Sequence, residues 1–326
     1  MEYLPAEIKL KIFKNLKFDE LIKIKHTNKY FYNFINKYED DLARKKFYKL
    51  SFTFRDYKKI KLETIYFPLN NNIQEKRINQ ISKYSLNENP TLHFYPKVSS
   101  KEDDVFTLKL PLYPKNIDEL KIVRYWLNQI VRCDFGYLEF DKIIFNPEMI
   151  KLLFDDDEIT KFKFNCKIAS LYFLYQNTFA WKFTLENLVI SEYIRIVFIY
   201  RYRLNTTEED NNFLLLLNTG DKIPVIEFVA INSLNILYNL LINHIETATD
   251  LSKMVAKINV DCFDDPWPHS KLTVRGVEID ESNNKKKYYK IKNIHNPKIM
   301  FLVKVILDTD TLRDTIEYIE ISQIKC

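Results

Sequence analysis

Over its first stretch the chain places apolar residues at a helical rhythm. Leu4, Ile8, Ile12 and Leu16 recur at every fourth position and Phe13 widens the stripe, which predicts a short amphipathic helix. Pro5 suits its first turn, where a missing N–H costs nothing. Asp19 can cap a second short helix carrying Leu21, Ile22 and Ile24. Asn28 can cap a third, in which Phe31, Phe34, Ile35 and Tyr38 share one face. The next segment, DDLARKKFYKLSF, reads as another amphipathic piece with Leu42, Phe47 and Leu50. The region up to Phe52 is therefore expected to be helical.

A polar stretch from Leu69 to Ser100 follows, and beyond it strand-like and helix-like segments alternate. VFTLKLPL predicts a strand, and Asn116 can cap a helix over IDELKIVRYWLNQIVR. An apolar-x-x-apolar-x-apolar pattern then recurs at Phe135-Leu138-Phe140, Ile159-Phe162-Phe164, Leu185-Leu188-Ile190, Ile223-Ile226-Phe228, Val255-Ile258-Val260 and Ile316-Ile319-Ile321. Candidate helices lie between them at Pro147–Phe154, with Asn146 as cap, at Ile168–Trp181 and at Asn232–Thr247. The early spacings, about two dozen residues, match a leucine-rich-repeat-like period. No asparagine ladder accompanies them and the later spacings stretch, so an irregular layer is expected. The triplets should form one contiguous, mostly parallel sheet with helices on one side. The stretch Lys271 to Leu307 is expected to be an antiparallel hairpin turning at Asn296-Pro297.

Composition narrows the chemistry. The apolar fraction, 46%, is ordinary and supports a full core. The net charge of +5 says little, because Lys, Asn, Ile, Tyr and Phe are all abundant. Charged residues interrupt any leader-like apolar stretch at the start, and FLLLL and IMFLVKVIL are too short to span a bilayer. Gly136, Gly220 and Gly276 stand apart, so no glycine-rich phosphate loop is present. Cys133, Cys166, Cys262 and Cys326 make no metal-type pair and read as free thiols in a reducing compartment, with Cys166 expected to be the most buried. Two weak metal constellations remain. One is Cys262, Asp264, Asp265 and His269, explained more cheaply by a loop with Pro266 and Pro268; the other is the run Asp155–Glu158, which reads as a solvated loop. The basic, tyrosine-containing run NNKKKYYKIKNI could face nucleic acid, but a turn entering a strand accounts for it.

One resemblance organises these observations. Leu4, Pro5, Glu7, Ile8, Ile12, Phe13 and Leu16, then Glu20, Leu21 and Ile24, then Lys29, Phe31 and Ile35, resemble the F-box, and the continuation INKYEDDLARKKFYKL is similar to the divergent, nematode-expanded F-box proteins. The resemblance covers roughly the first forty residues. It implies an α+β protein: an N-terminal three-helix F-box over residues 1–50, a polar linker or irregular segment over 51–100, and an irregular leucine-rich-repeat-like α/β layer over 101–326 that recognises a substrate. It further implies a non-enzymatic subunit of a Skp–cullin–F-box ubiquitin ligase, cytoplasmic or nuclear. Its partners would be the Skp-family adaptor, through it a cullin, and a protein target, with neither membrane nor nucleic acid among them. The adaptor surface would comprise Leu4, Pro5, Ile8, Ile12, Phe13, Leu16, Leu21 and Ile24. No cofactor, catalytic residue or metal ligand is implied. Lys9 would lie on the solvent side of this helix. Three helices this short bury too little for independent stability, so part of their stripe should be covered by a partner. The runner-up is an adaptor-binding scaffold without ligase activity, and a third class is a metal-dependent hydrolase.

Overall fold

Three short helices open the structure, a computed structural model: α1 (Ala6–Phe13), α2 (Phe18–Lys25) and α3 (Lys29–Lys37). The described residues are 4–53, 91–96, 105–110, 116–141, 150–151, 153–173, 178–198, 213–230, 234–262, 267–268, 277–280, 286–308 and 315–324. Asn28 caps α3 as its sequence predicts, its side chain accepting from the Phe31 N–H. At α2 it is Glu20 that reaches back, accepting from the Lys17 N–H at 2.7 Å; Asp19 lies inside the first turn rather than at the cap. The helices close on a small core of Phe13, Leu21, Phe34, Ile35 and Leu42, separate from the main one.

The helical regime ends earlier than the sequence suggests. Lys45–Thr53 is strand β1, not a fourth amphipathic helix. Phe47, Leu50 and Phe52 carry the same apolar-x-x-apolar-x-apolar spacing as the later strands, and the three-residue gap imitates a helical face. Two further strands, β2 (Thr91–Tyr95) and β3 (Phe106–Lys109), add antiparallel beside β1, so the end of the expected linker is paired into the sheet.

The remaining elements alternate. Helix α4 (Ile117–Ile130), capped by Asn116 as expected, leads into β4 (Cys133–Asp141). Next come α5 (Asp156–Lys161), β5 (Phe164–Phe173), α6 (Thr178–Asn187) and β6 (Leu188–Phe198). A helical turn at 213–217 precedes β7 (Val225–Ala230), α7 (Leu234–Thr247) and β8 (Lys257–Asp261). The chain closes with β9 (Trp267–Pro268), β10 (Val277–Asp280), β11 (Lys286–Lys292), β12 (Met300–Asp308) and β13 (Thr315–Ile324).

All these strands form one 13-stranded mixed sheet, in the order β10-β11-β12-β13-β8-β7-β6-β5-β4-β1-β2-β3, with β9 beside β13. From β1 through β4, β5, β6 and β7 to β8 every pairing is parallel. The flanks are antiparallel. The contiguous sheet expected from Phe135 to Ile321 is present, but β13 runs antiparallel and lies inside the sheet between β8 and β12. The turn between β11 and β12 spans Asn296-Pro297, as expected.

The parallel centre has a regular interior. Register aligns Leu50, Leu138, Ala169, Ile194, Ile226 and Ile258 in one row across it, and Phe52, Phe140, Leu171, Ile196, Phe228 and Val260 in the next. These rows share a single core with Leu120, Val123 and Leu127 of α4, Phe183 of α6, and Leu241 and Ile245 of α7. The helices therefore cover one face of the sheet. Phe52 and Phe140 stack with ring centroids 4.7 Å apart across the β1–β4 pair. Gly136 lets these two strands approach, since a Cβ there would lie 2.8 Å from the Tyr48 carbonyl oxygen.

Three expectations change. The helix expected at Ile168–Trp181 is strand β5 from Ile168 to Phe173, and the following helix runs Thr178–Asn187. Ile159 lies in α5 and Leu185 in α6, so those two triplets straddle a helix end and a strand start. Asp155–Glu158 is not a loop but a helix start: Glu158 accepts from the Asp155 N–H at 3.1 Å, closing a capping box. Half of the segment 147–154, the run ESNN, Gly276, Cys326 and the loop holding Asp264, Asp265 and His269 lie outside the described residues.

Candidate interaction surfaces

Helix α1 splits the expected adaptor residues into two groups. Leu4, Ile8 and Ile12 are 39%, 43% and 37% exposed, an apolar ridge at fourfold spacing along the outer side of α1. Pro5 is exposed beside them at the N-cap, and its carbonyl accepts from the Lys9 N–H at 3.1 Å. Phe13 and Leu21 are instead buried in the small core, and Leu16 and Ile24 pack against its margin. The first group can touch a partner; the second fixes the angle at which the helices present it.

Lys9 corrects the expectation of a solvent-facing control. It is only 4% exposed. Its ammonium donates to the Tyr30 hydroxyl and lies 4.5 Å from the Tyr30 ring centroid and 5.2 Å from that of Phe34. A cation enclosed by two rings ties α1 to α3. Tyr30 is 38% exposed despite this contact, and Tyr32, 48% exposed, lies against the Lys25 ammonium instead.

The helical unit is fastened to the sheet region at one corner. Arg132, just beyond α4, pairs with Glu39 at 2.8 Å, and Arg44 donates to the Val131 carbonyl at 3.0 Å. Both contacts lie at the start of β1 and β4, away from Leu4, Ile8 and Ile12 in the sequence.

The second surface is the sheet face opposite the helices. Residues between the apolar rows align across the strands as Ser51, Glu139, Ser170, Arg195, Glu227, Asn259, Glu320 and Lys304. Arg195 bonds Glu227 at 3.0 Å and reaches Asp261 at 3.5 Å. Ser51 donates to Glu139 at 2.9 Å, Lys49 also pairs with Glu139, and Lys257 pairs with Glu320 at 2.9 Å. Burial would lower the Arg195 pKa, but the Glu227 carboxylate, aided by Asp261, outweighs it and the net shift is upward. Tyr318 is pushed up to about 12 by burial and by the carboxylates of Glu320, Glu227 and Asp261. Tyr137 is also pushed up to about 12, chiefly by burial, with Tyr172 and Glu139 adding to the shift and Ser170 opposing it. Ser51, Glu139, Glu227, Asn259 and Glu320 each lie between the last two members of an apolar triplet, whereas Ser170, Arg195 and Lys304 join the row through strand register alone.

Two clefts lie elsewhere. One of about 350 Å³ opens at the start of β1, β4, β5 and β6, between Lys46, Asp134, Cys166 and Val189. The other, of about 340 Å³, lies by α5 and the end of α6, where Lys151, Lys163 and Lys222 approach. Burial and the Lys222 charge hold the Lys163 ammonium below its ordinary pKa. Cys133, Cys166 and Cys262 are free thiols. Cys262, at 1% exposure, is more buried than Cys166, at 6%, because Cys166 lies near the start of its strand. Burial raises the Cys166 thiol to about 12 and that of Cys133 to about 11, which makes both poor nucleophiles. Among the described residues no His, Cys, Asp and Glu side chains converge as a metal site, and no helix is long and apolar enough to cross a membrane.

A family model described as a domain of unknown function, DUF8381, matches residues 58–199, a minority of the chain that begins beyond the three helices and ends just past β6. Neither a curated protein nor a solved structure matches.

Proposed function

We propose that this chain is a substrate-recognition subunit of a Skp–cullin–F-box ubiquitin ligase. The observation that carries the reading is the exposed ridge of Leu4, Ile8 and Ile12 behind Pro5, on a three-helix unit with a core of its own. A solvent-facing apolar ridge at one spacing on a short helix is what a groove-binding contact requires. In this reading Leu4, Pro5, Ile8 and Ile12 touch the Skp-family adaptor. Leu16 and Ile24 border the contact, and Phe13 and Leu21 hold its shape.

The large sheet with its helices, read as an irregular leucine-rich-repeat-like layer, holds the target. No catalytic residue or cofactor is needed. The protein acts by raising effective concentration, since a target and a ubiquitin-charged enzyme held on one body react quasi-intramolecularly. The working compartment is the cytoplasm or nucleus, where free thiols persist. Co-purification tests the ligase assignment: the tagged chain is expected to retain both the adaptor and a cullin. Retention of the adaptor without any cullin would refute the ligase assignment and leave a scaffold.

A further inference from the structure

The cleft where α5 and α6 turn into β5 and β6 shares no residue with the proposed adaptor contact, and lysines meet in it without a carboxylate to pair them. We propose that this cleft binds a small phosphomonoester. The dianionic head would lie between Lys163 and Lys222, with Lys151 beside them, and the short organic body against Ile159 and Leu185. The inference goes beyond the recognition-subunit reading and does not depend on it.

Charge is the first argument. The lining holds Lys151, Lys163 and Lys222 and a single carboxylate, Glu186. Asp157 and Asp221 lie near in sequence but do not line the cleft, and Glu158 of α5 is engaged by Arg124 at 2.8 Å. Neither Lys163 nor Lys222 has an ion-pair partner among the described residues: the Lys163 ammonium donates to the Glu186 backbone carbonyl, and Lys222 is exposed. On the sheet's polar face, by contrast, Lys49, Arg195 and Lys257 are each paired with a carboxylate. The field at Lys163 is the second argument. Burial lowers its pKa most, the Lys222 charge lowers it further, and Glu186 opposes by less than Lys222 contributes. The two ammonium groups therefore repel one another by more than the carboxylate offsets, and an anion placed between them removes that repulsion.

The corner is also held in place. Phe164 and Leu188 pair across β5 and β6, so Lys163 and Asn187 stand side by side at the strand starts. Asn187 is 4% exposed, and its Nδ2 donates to the Phe162 carbonyl at 3.1 Å, fixing the turn that carries Lys163. Size and lining select the class of ligand. At about 340 Å³ the cleft falls at the lower end of small-molecule sites, roughly 300–1,000 Å³. Its apolar lining is aliphatic and no aromatic ring contributes, which favours an aliphatic body over a nucleobase. A phosphomonoester carries about −1.5 to −2 charges at neutral pH and so matches two ammonium groups, where a carboxylate brings one charge. Lysine meets phosphate as a point charge, without the planar fork that arginine needs.

The probe is butyl phosphate, added to the full chain and followed by saturation-transfer NMR on its methyl protons. Saturable binding is expected, about tenfold tighter than that of pentanoate, which has a similar body and one charge. Lys222→Gln, at an exposed position, should weaken it about tenfold, whereas Lys23→Gln on α2 should leave it unchanged. Lys163→Gln should weaken it as much. Should that variant fail to fold, competitive acetylation of the wild-type chain decides, with butyl phosphate expected to protect Lys163 and Lys222 and not Lys23. Pentanoate or inorganic phosphate binding as tightly as butyl phosphate, full affinity in Lys222→Gln, or protection spread evenly over the lysines would overturn the proposal. A phosphoserine heptapeptide that displaces butyl phosphate far more effectively than free phosphoserine does would overturn it too, by moving the phosphate onto a partner protein.

Discussion

Lys9 lies on α1 next to Ile8 and is buried, its ammonium against Tyr30 and Phe34 and its hydroxyl partner on another helix. Burying an ammonium is tolerable because both its charge and one of its donors find partners. Lys9→Ala removes the bond and the cation–π contact, and is expected to lower the unfolding free energy of the helical unit by about 1–2 kcal/mol. Chemical denaturation followed by circular dichroism checks this; an unchanged midpoint would show that Lys9 contributes nothing. Sequence spacing could not reveal the contact, because the partner ring belongs to a helix that folds back from well downstream. Tyr137 and Tyr318 allow a second prediction. An unfolded phenol ionises near pH 10 and these two near 12, so the folded state keeps protons that the unfolded state has lost. Their contribution to stability is complete below about pH 10 and declines as pH rises toward about 12. Spectrophotometric titration should show these phenols ionising well above pH 10, and Tyr318→Phe should remove one late step.

At the scale of elements, the apolar triplet carried most of the readable fold and also misled it. Its last two members lie in strands at Leu138-Phe140, Ile226-Phe228 and Ile258-Val260, where alternation across a one-sided sheet demands an apolar residue at every second position. The first member lies three residues earlier, a gap that a helix also produces. That ambiguity hid β1 at Lys45–Thr53, and β5, whose start the triplet at Phe162-Phe164 marks, runs on to Phe173 through residues expected to be helical. Both are strands because parallel neighbours on each side, or on one side and β2 on the other, claim their backbone groups, information no local window contains. The long helices α4 and α7 were legible because their periodicity runs far enough to exclude a strand. The β11–β12 turn was foreseen at Asn296-Pro297, but the residue that organises it is Asn293. Its Nδ2 donates to the carbonyls of Ile245 and Ala248, each at 2.8 Å, closing the end of α7. Its Oδ1 accepts from the N–H groups of His295 and Asn296. Asn293→Ala leaves these groups unpaired at a nearly buried position, and is expected to cost about 3 kcal/mol in a denaturant melt. A loss under about 1 kcal/mol would mean that water replaces the amide freely.

The whole molecule combines a small helical unit and a large sheet, with separate cores joined through β1 and the contacts of Arg44 and Arg132. Separate cores allow each surface to be altered without unfolding the other, which makes the functional reading testable by substitution. The N-terminal site was half legible. The sequence marked the apolar positions, but only packing separates Leu4, Ile8 and Ile12, which face outward, from Phe13 and Leu21, which do not. The polar sheet face was overlooked because its members are dispersed from Ser51 to Glu320 and meet through register alone. The most direct measurement is the Kd of the full chain for a purified Skp-family adaptor, compared among wild type, Ile8→Ala and Lys9→Ala, with a thermal melt of each. The account predicts that wild type binds. Ile8→Ala should bind about thirtyfold more weakly, about 2 kcal/mol, with an unchanged melt, and Lys9→Ala should change the melt more than an outward residue does. No binding by wild type, or full affinity in Ile8→Ala, would contradict it.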